Sequence, residues 1–74
     1  MITTKPPAHY EIRVNGVMGS GWSAWFDGLQ VISDDRGQTT IAGPVADQAA
    51  LHGLLAKIRD LGLELLEVRR TDPE

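Results

Sequence analysis

Between residues 47 and 70 the spacing of apolar positions changes once, and that change predicts two elements. Leu51, Leu54, Leu55, Ile58 and Leu61 recur at steps of three and four residues, which gathers them on one stripe of a helix. Asp47 stands just before the stripe, where its carboxylate can accept from free N–H groups of the first turn. Lys57 and Arg59 lie near the far end, where cations suit the helix dipole. Gly62 follows the last periodic residue and fits the left-handed position that closes many helices. The pattern predicts a helix over 48–61. The next eight residues, LELLEVRR, read as a strand. Simple alternation puts Leu66 and Val68 on one face of it and Leu63 and Leu65 on the other. A strand apolar on both faces is usually covered on both, and one helix covers only one.

The first half of the chain alternates more simply. Tyr10, Ile12 and Val14 share one face and His9, Glu11 and Arg13 the other, which predicts a half-buried strand ending near the turn-forming pair Asn15-Gly16. Trp22, Trp25 and Phe26 stand at i, i+3 and i+4, so a short helical turn would carry three aromatic side chains on one side. As core, this turn plugs one end of a small domain. As a site, it forms the wall of a ligand pocket. Residues 29–33 and 38–42 read as a hairpin around Asp34-Asp35-Arg36-Gly37, and Gly43-Pro44 is expected to end the second of these strands.

The expected fold is therefore α+β: a single four-stranded, mainly antiparallel sheet with one long helix on one face and one short aromatic helix. The element order β-α-β-β-α-β is ferredoxin-like in outline. The residues between Met18 and Leu29 barely suffice for a parallel crossover, and a meander of the first three strands is the other solution. Residues 1–8 are expected to form a flexible arm, because Lys5-Pro6-Pro7 resists helix and central strand. Residues 9–70 form the domain and 71–74 a tail.

Size and charge narrow the functional classes. Seventy-four residues make one small domain whose core is marginal, and without cysteine neither disulfides nor thiolate metal sites support it. Oligomerisation is the natural supplement. A net charge of −3 gives no general attraction to nucleic acid or anionic lipid. No apolar run approaches a membrane span, and no signal peptide is evident, so a cytoplasmic location is expected.

Chemistry is sparse. His9 and His52 are the only imidazoles and have no metal-ligand spacing around them, so both read as surface residues. Asp34-Asp35 is the only adjacent acidic pair, and a hairpin turn offers neither the apolar pocket nor the solvated neighbour that acid–base catalysis needs. Gly19-x-Gly21 lacks the strand–helix context of a nucleotide loop. Arg69-Arg70 with Arg13 would make a basic patch, but Glu11, Glu64 and Glu67 favour cross-strand pairing. No catalytic, cofactor-binding or metal-binding residue is assigned.

The segments YEIRVNG, WSAWFDGL and TTIAGPVADQAALHGLLAKIRDLGLELLEV together resemble a group of short, uncharacterised bacterial proteins, from Tyr10 to Arg69. That resemblance brings no activity or ligand with it. In outline the helix–strand half also resembles ACT-like small-molecule-binding domains.

Three functions are weighed. The first is a non-enzymatic, self-associating interaction module, a homodimer, with an unidentified protein partner as a further possibility. Its contact uses either an outer sheet face with Ile32, Leu63 and Leu65, or the small-residue helix face of Ala49, Gly53 and Ala56. The second is a small-molecule-binding regulatory domain whose ligand wall is Trp22, Trp25 and Phe26. The third is a small dimeric, ferredoxin-like enzyme without a cofactor.

Overall fold

The computed structural model describes residues 8–71. Most of the expected tail (71–74) and most of the expected arm (1–8) lie outside them, while Ala8 already belongs to the first strand and the Thr71 N–H bonds to the His9 carbonyl. The elements are β1 (Ala8–Asn15), a 3-10 turn (Ser20–Ser23), β2 (Gln30–Ser33), β3 (Gln38–Val45), α1 (Gln48–Asp60) and β4 (Glu64–Arg70). The four strands form one antiparallel sheet in the order β2-β3-β1-β4.

Two crossovers produce that order. β3 and β4 both run antiparallel to β1, which lies between them, and α1 carries the chain over one face. β1 and β2 are related in the same way about β3, so the first three strands are not a meander. The element order is nonetheless not ferredoxin-like. The first crossover holds a single 3-10 turn followed by irregular turns, where the aromatic spacing predicted a helix. Gly19, Gly21 and Gly28 crowd this stretch, and glycine costs about 1 kcal/mol per helical position relative to alanine. The Phe26 N–H is shared between the carbonyls of Trp22 and Ser23, and Asp27 then turns to positive φ, so no second helical turn forms.

The core is built from the alternation the sequence displays. Ile12 and Val14 of β1, Val31 of β2, and Thr39, Ile41 and Val45 of β3 are buried on one face. Leu51, Leu54 and Ile58 of α1 close over them, with Met18, Phe26 and Leu29 from the crossover. The helix ends behave as their residues predict. The Asp47 carboxylate accepts from the Ala50 N–H at 2.8 Å. At the far end Gly62 has φ 76°, its N–H reaches the Arg59 carbonyl, and the Leu63 N–H reaches the Ile58 carbonyl. This is a Schellman closure, and Leu63 packs against the core beside it.

β3 runs through Gly43-Pro44 to Val45, past the expected stop. β2 pairs only with residues 39–42 of β3, so beyond Ala42 that side of β3 has no neighbouring strand among the described residues and tolerates a residue without an N–H. Gly43 is required by packing: a Cβ there would stand 2.5 Å from Leu29 Cδ2, and its φ is 154°.

A buried polar cluster ties the crossover down. The Thr39 hydroxyl, with no solvent exposure, donates to the Gly16 carbonyl at 2.6 Å and accepts from the Met18 N–H at 3.1 Å. Ser33 Oγ lies 2.8 Å from it, donates to the Met18 carbonyl and also receives the Met18 N–H. Among the described residues every buried side-chain polar atom has a partner.

Candidate functional site

β4 is the long free edge of the sheet. All seven of its residues are exposed, and β1 is its only neighbouring strand among the described residues. Its facing departs from simple alternation because the pairing with β1 slips between Arg13 and Val14. Val68 lies opposite Ile12 and Leu65 opposite Val14, and cross-strand partners share a face. Leu65 and Val68 therefore both lie on the helix side, with Leu66 taken up by the bulge. Leu63, two residues before Leu65, packs against the core. The expectation that Leu63 and Leu65 point to the outer face is corrected by this bulge.

Consequently the outer face is polar over most of its width. Arg13 pairs with Glu67 at 3.5 Å and Arg69 with Glu11 at 2.9 Å. Asn15 donates to Glu64 at 3.2 Å, and His9 Nδ1 lies 3.1 Å from Thr71 Oγ1. The hydrogen bond and charge of Glu11 push Arg69 further above its already high ordinary pKa. Exposed pairs of this kind add little stability, and they mark a solvated surface. Ile32 does lie on this face, opposite Thr40, but on β2, at the other edge from β4. Ile32, Leu63 and Leu65 do not form one patch.

The apolar surface that stays uncovered lies along β4 itself. Leu61, Leu65, Leu66 and Val68 are all exposed, Leu65 by 46%. Leu61 caps α1 immediately before the strand, so these four side chains follow one another from the helix end along the edge. The other proposed helix contact gains nothing from its surroundings: Ala49 and Gly53 are exposed, Ala56 is half-buried, and a Cβ at Gly53 would meet nothing within 4 Å.

The aromatic turn divides its three rings. Phe26 is fully buried, while Trp22 and Trp25 are exposed, Trp25 by 49%. Only one ring plugs the core. The two indoles meet edge to face at 6.4 Å. The Lys57 ammonium sits 5.5 Å from the centre of the Trp25 ring, donates to the Trp25 carbonyl at 2.8 Å and lies 3.7 Å from Asp27. A cleft of about 190 Å³ opens close by, lined by Asp27, Leu29, Pro44, Val45, Ala50 and Leu54 among others. It lies between the aromatic turn and the Gly43-Pro44 stretch, yet Trp22, Trp25 and Phe26, the expected ligand wall, are not in its lining. Asp27 is its only charged residue, and its carboxylate already faces Lys57.

The remaining chemical groups stay apart. His52 is exposed on α1 and His9 is exposed on β1. Among the described residues no three of His, Asp and Glu converge as metal ligands. Asp34 accepts from the Arg36 and Gln38 N–H groups, at 2.8 and 3.0 Å, and these hold its carboxyl below its ordinary pKa. That is turn chemistry.

A family model described as a domain of unknown function, DUF8691, matches residues 9–69. The chain belongs to the DUF8691 family. The match runs from β1 into β4 and takes in the helix and all of the sheet of this DUF8691 domain except its end residues Ala8 and Arg70. No curated protein and no solved structure matches it. Among the described residues no helix of the domain is long and apolar enough to cross a membrane.

Sequence reasoning missed the bulge in this DUF8691 domain, although a signal was present. Two adjacent leucines, Leu65-Leu66, interrupt an alternating strand, and a bulge is the usual way to keep a leucine on each side of such a pair facing the same core. The clasp of Lys57 on Trp25 had no comparable signal, because the two residues meet only through the crossover.

Proposed function

We propose that this domain is a non-enzymatic interaction module that self-associates as a homodimer through the β4 edge. The observation that carries this reading is the exposed row Leu61, Leu65, Leu66 and Val68 beside a strand edge that has no second neighbouring strand among the described residues. Burying such side chains returns about 25 cal/mol for each Å² of apolar area removed from water. A domain this small has little other means of adding to its core. A second copy is the favoured occupant because the charges of β4 are sorted by sign. Glu64 and Glu67 precede Arg69 and Arg70, so an inverted copy sets acid against base.

Light scattering coupled to size-exclusion chromatography tests the reading. The wild-type chain is expected to elute as a dimer, and Leu65→Lys as a monomer with unchanged far-ultraviolet circular dichroism. A wild-type monomer at every concentration would refute it.

A second reading, a small-molecule-binding regulatory domain, is favoured by the cleft between the aromatic turn and Gly43-Pro44. Its Leu29, Val45 and Leu54 walls with one carboxylate at Asp27 suit a small apolar ligand carrying a positive group. Trp25 is held beside Asp27 through Lys57, so tryptophan fluorescence reports on the cleft. No emission change across a panel of small organic amines would dismiss this reading.

A further inference from the structure

We infer that the dimer forms by direct antiparallel pairing of β4 with β4 of a second copy, making one continuous eight-stranded sheet about a two-fold axis. The inference rests on the self-association proposed above and specifies how that association is built.

Three observations lead to it. First, β4 is seven residues long and exposed throughout, whereas the opposite edge, β2, has only four residues. The ladder hydrogen bonds of β4 to β1 use one side of the strand, as the Thr71 N–H bond to the His9 carbonyl at 2.7 Å continues to show past its end. Among the described residues no strand pairs with the other side, and an unpaired strand edge is a template for an incoming strand.

Second, the charges choose the direction. Bulges and charged side chains commonly protect a free edge against pairing. Here the charges do so selectively. A parallel copy would set Glu64 and Glu67 beside their equals and Arg69 and Arg70 beside theirs. An inverted copy sets the acidic start of one strand against the basic end of the other, twice by symmetry.

Third, the register with β1 fixes which residues can be opposite. Leu65 and Val68 lie on the helix side, and Glu64, opposite Asn15, lies with Arg69, opposite Glu11, on the outer side. The inverted register that pairs the apolar residues flanking the bulge, Leu65 with Val68, respects both faces at once. It places Leu65 opposite Val68 of the second copy and Glu64 opposite Arg69 of the second copy. The apolar pairs then lie beside Leu61 on the helix side, and the charged pairs extend the outer ladder that Arg13–Glu67 and Arg69–Glu11 begin. Without the bulge, Leu65 and Val68 would point to opposite faces and no such register would exist. The bulge that removes the leucines from the outer face is thus the same feature that makes the edge self-complementary.

The chain has no cysteine, which permits a clean cross-linking test in the full-length protein. Leu65→Cys and Val68→Cys are prepared separately, then examined alone and as an equal mixture under mild oxidation. In the inferred register, positions 65 and 68 face each other across the two-fold axis. Like positions are offset by three residues, about 10 Å along the strands, which is beyond disulfide reach. The mixture is expected to give a disulfide-linked heterodimer, and neither variant alone should cross-link. Light scattering on the wild-type chain is read alongside. A wild-type dimer with no cross-link in the mixture, or with cross-linking of either single variant, overturns this register of β4 pairing and leaves self-association standing. A wild-type monomer overturns both.

Discussion

Replacing Thr39 by valine exchanges one hydroxyl for a methyl group of nearly the same shape at a site with no solvent exposure. The Thr39 hydroxyl satisfies the Gly16 carbonyl and shares the Met18 N–H with Ser33. In Thr39→Val the Met18 N–H keeps Ser33, but the Gly16 carbonyl loses this partner. A buried polar group left without its hydrogen bond costs about 1–3 kcal/mol. The half-buried setting of Gly16 places the expected loss in the lower part of that range. A domain of this size holds roughly 4–11 kcal/mol in total, so the loss is a large fraction. It corresponds to a fall in Tm of about 4–12 °C. Thermal denaturation followed by circular dichroism measures it at a fixed protein concentration, since dimerisation also moves Tm. Thr39→Ser is the companion variant: it keeps the hydroxyl and loses one methyl group, about 0.8 kcal/mol of burial. The reasoning requires valine to be the more damaging of the two. A Thr39→Val protein as stable as wild type would show that the hydroxyl does not clamp the crossover to β3.

Three further outcomes are expected. Gly43→Ala drives a Cβ into Leu29 Cδ2 at a backbone conformation that favours glycine, so urea denaturation should show a loss of about 1–3 kcal/mol, and an unchanged midpoint would contradict the packing given for Gly43. Because the folded Asp34 carboxyl is held below its ordinary value of 3.8, its contribution to stability is present above that value and is lost as pH falls through the lowered one; in an NMR titration the Arg36 and Gln38 amides should shift together below the ordinary value, and a midpoint at or above it would refute the turn assignment. Trp22 and Trp25 are both exposed, so acrylamide should quench nearly all the tryptophan emission of the folded chain, and a strongly protected fraction would contradict the surface position of the indoles.

What the sequence determined by itself was local. The helix, its Asp47 cap and its Gly62 closure were all legible, because capping and apolar periodicity act over a few neighbouring residues. The inward set of β1 was equally legible, since Ile12 and Val14 alternate with charged residues along one regular strand. Where two rules competed, the sequence was ambiguous. Aromatic spacing argued for a helix at Trp22–Phe26, and the surrounding glycines argued against it. Tertiary contact decided: burying Phe26 against the core while holding Met18 to Thr39 and Ser33 fixes the crossover as turns and leaves both indoles outside. Pro44 was read as a strand breaker, and only the short reach of β2 showed that its side of β3 needs no donor. The candidate interface depended most on tertiary structure. A strand's facing is set by its pairing partner, and a one-residue slip moves every following side chain to the other face. The slip opposite Arg13 and Val14 turned Leu65 toward the helix side, joined it with Val68, and left the outer face to ion pairs.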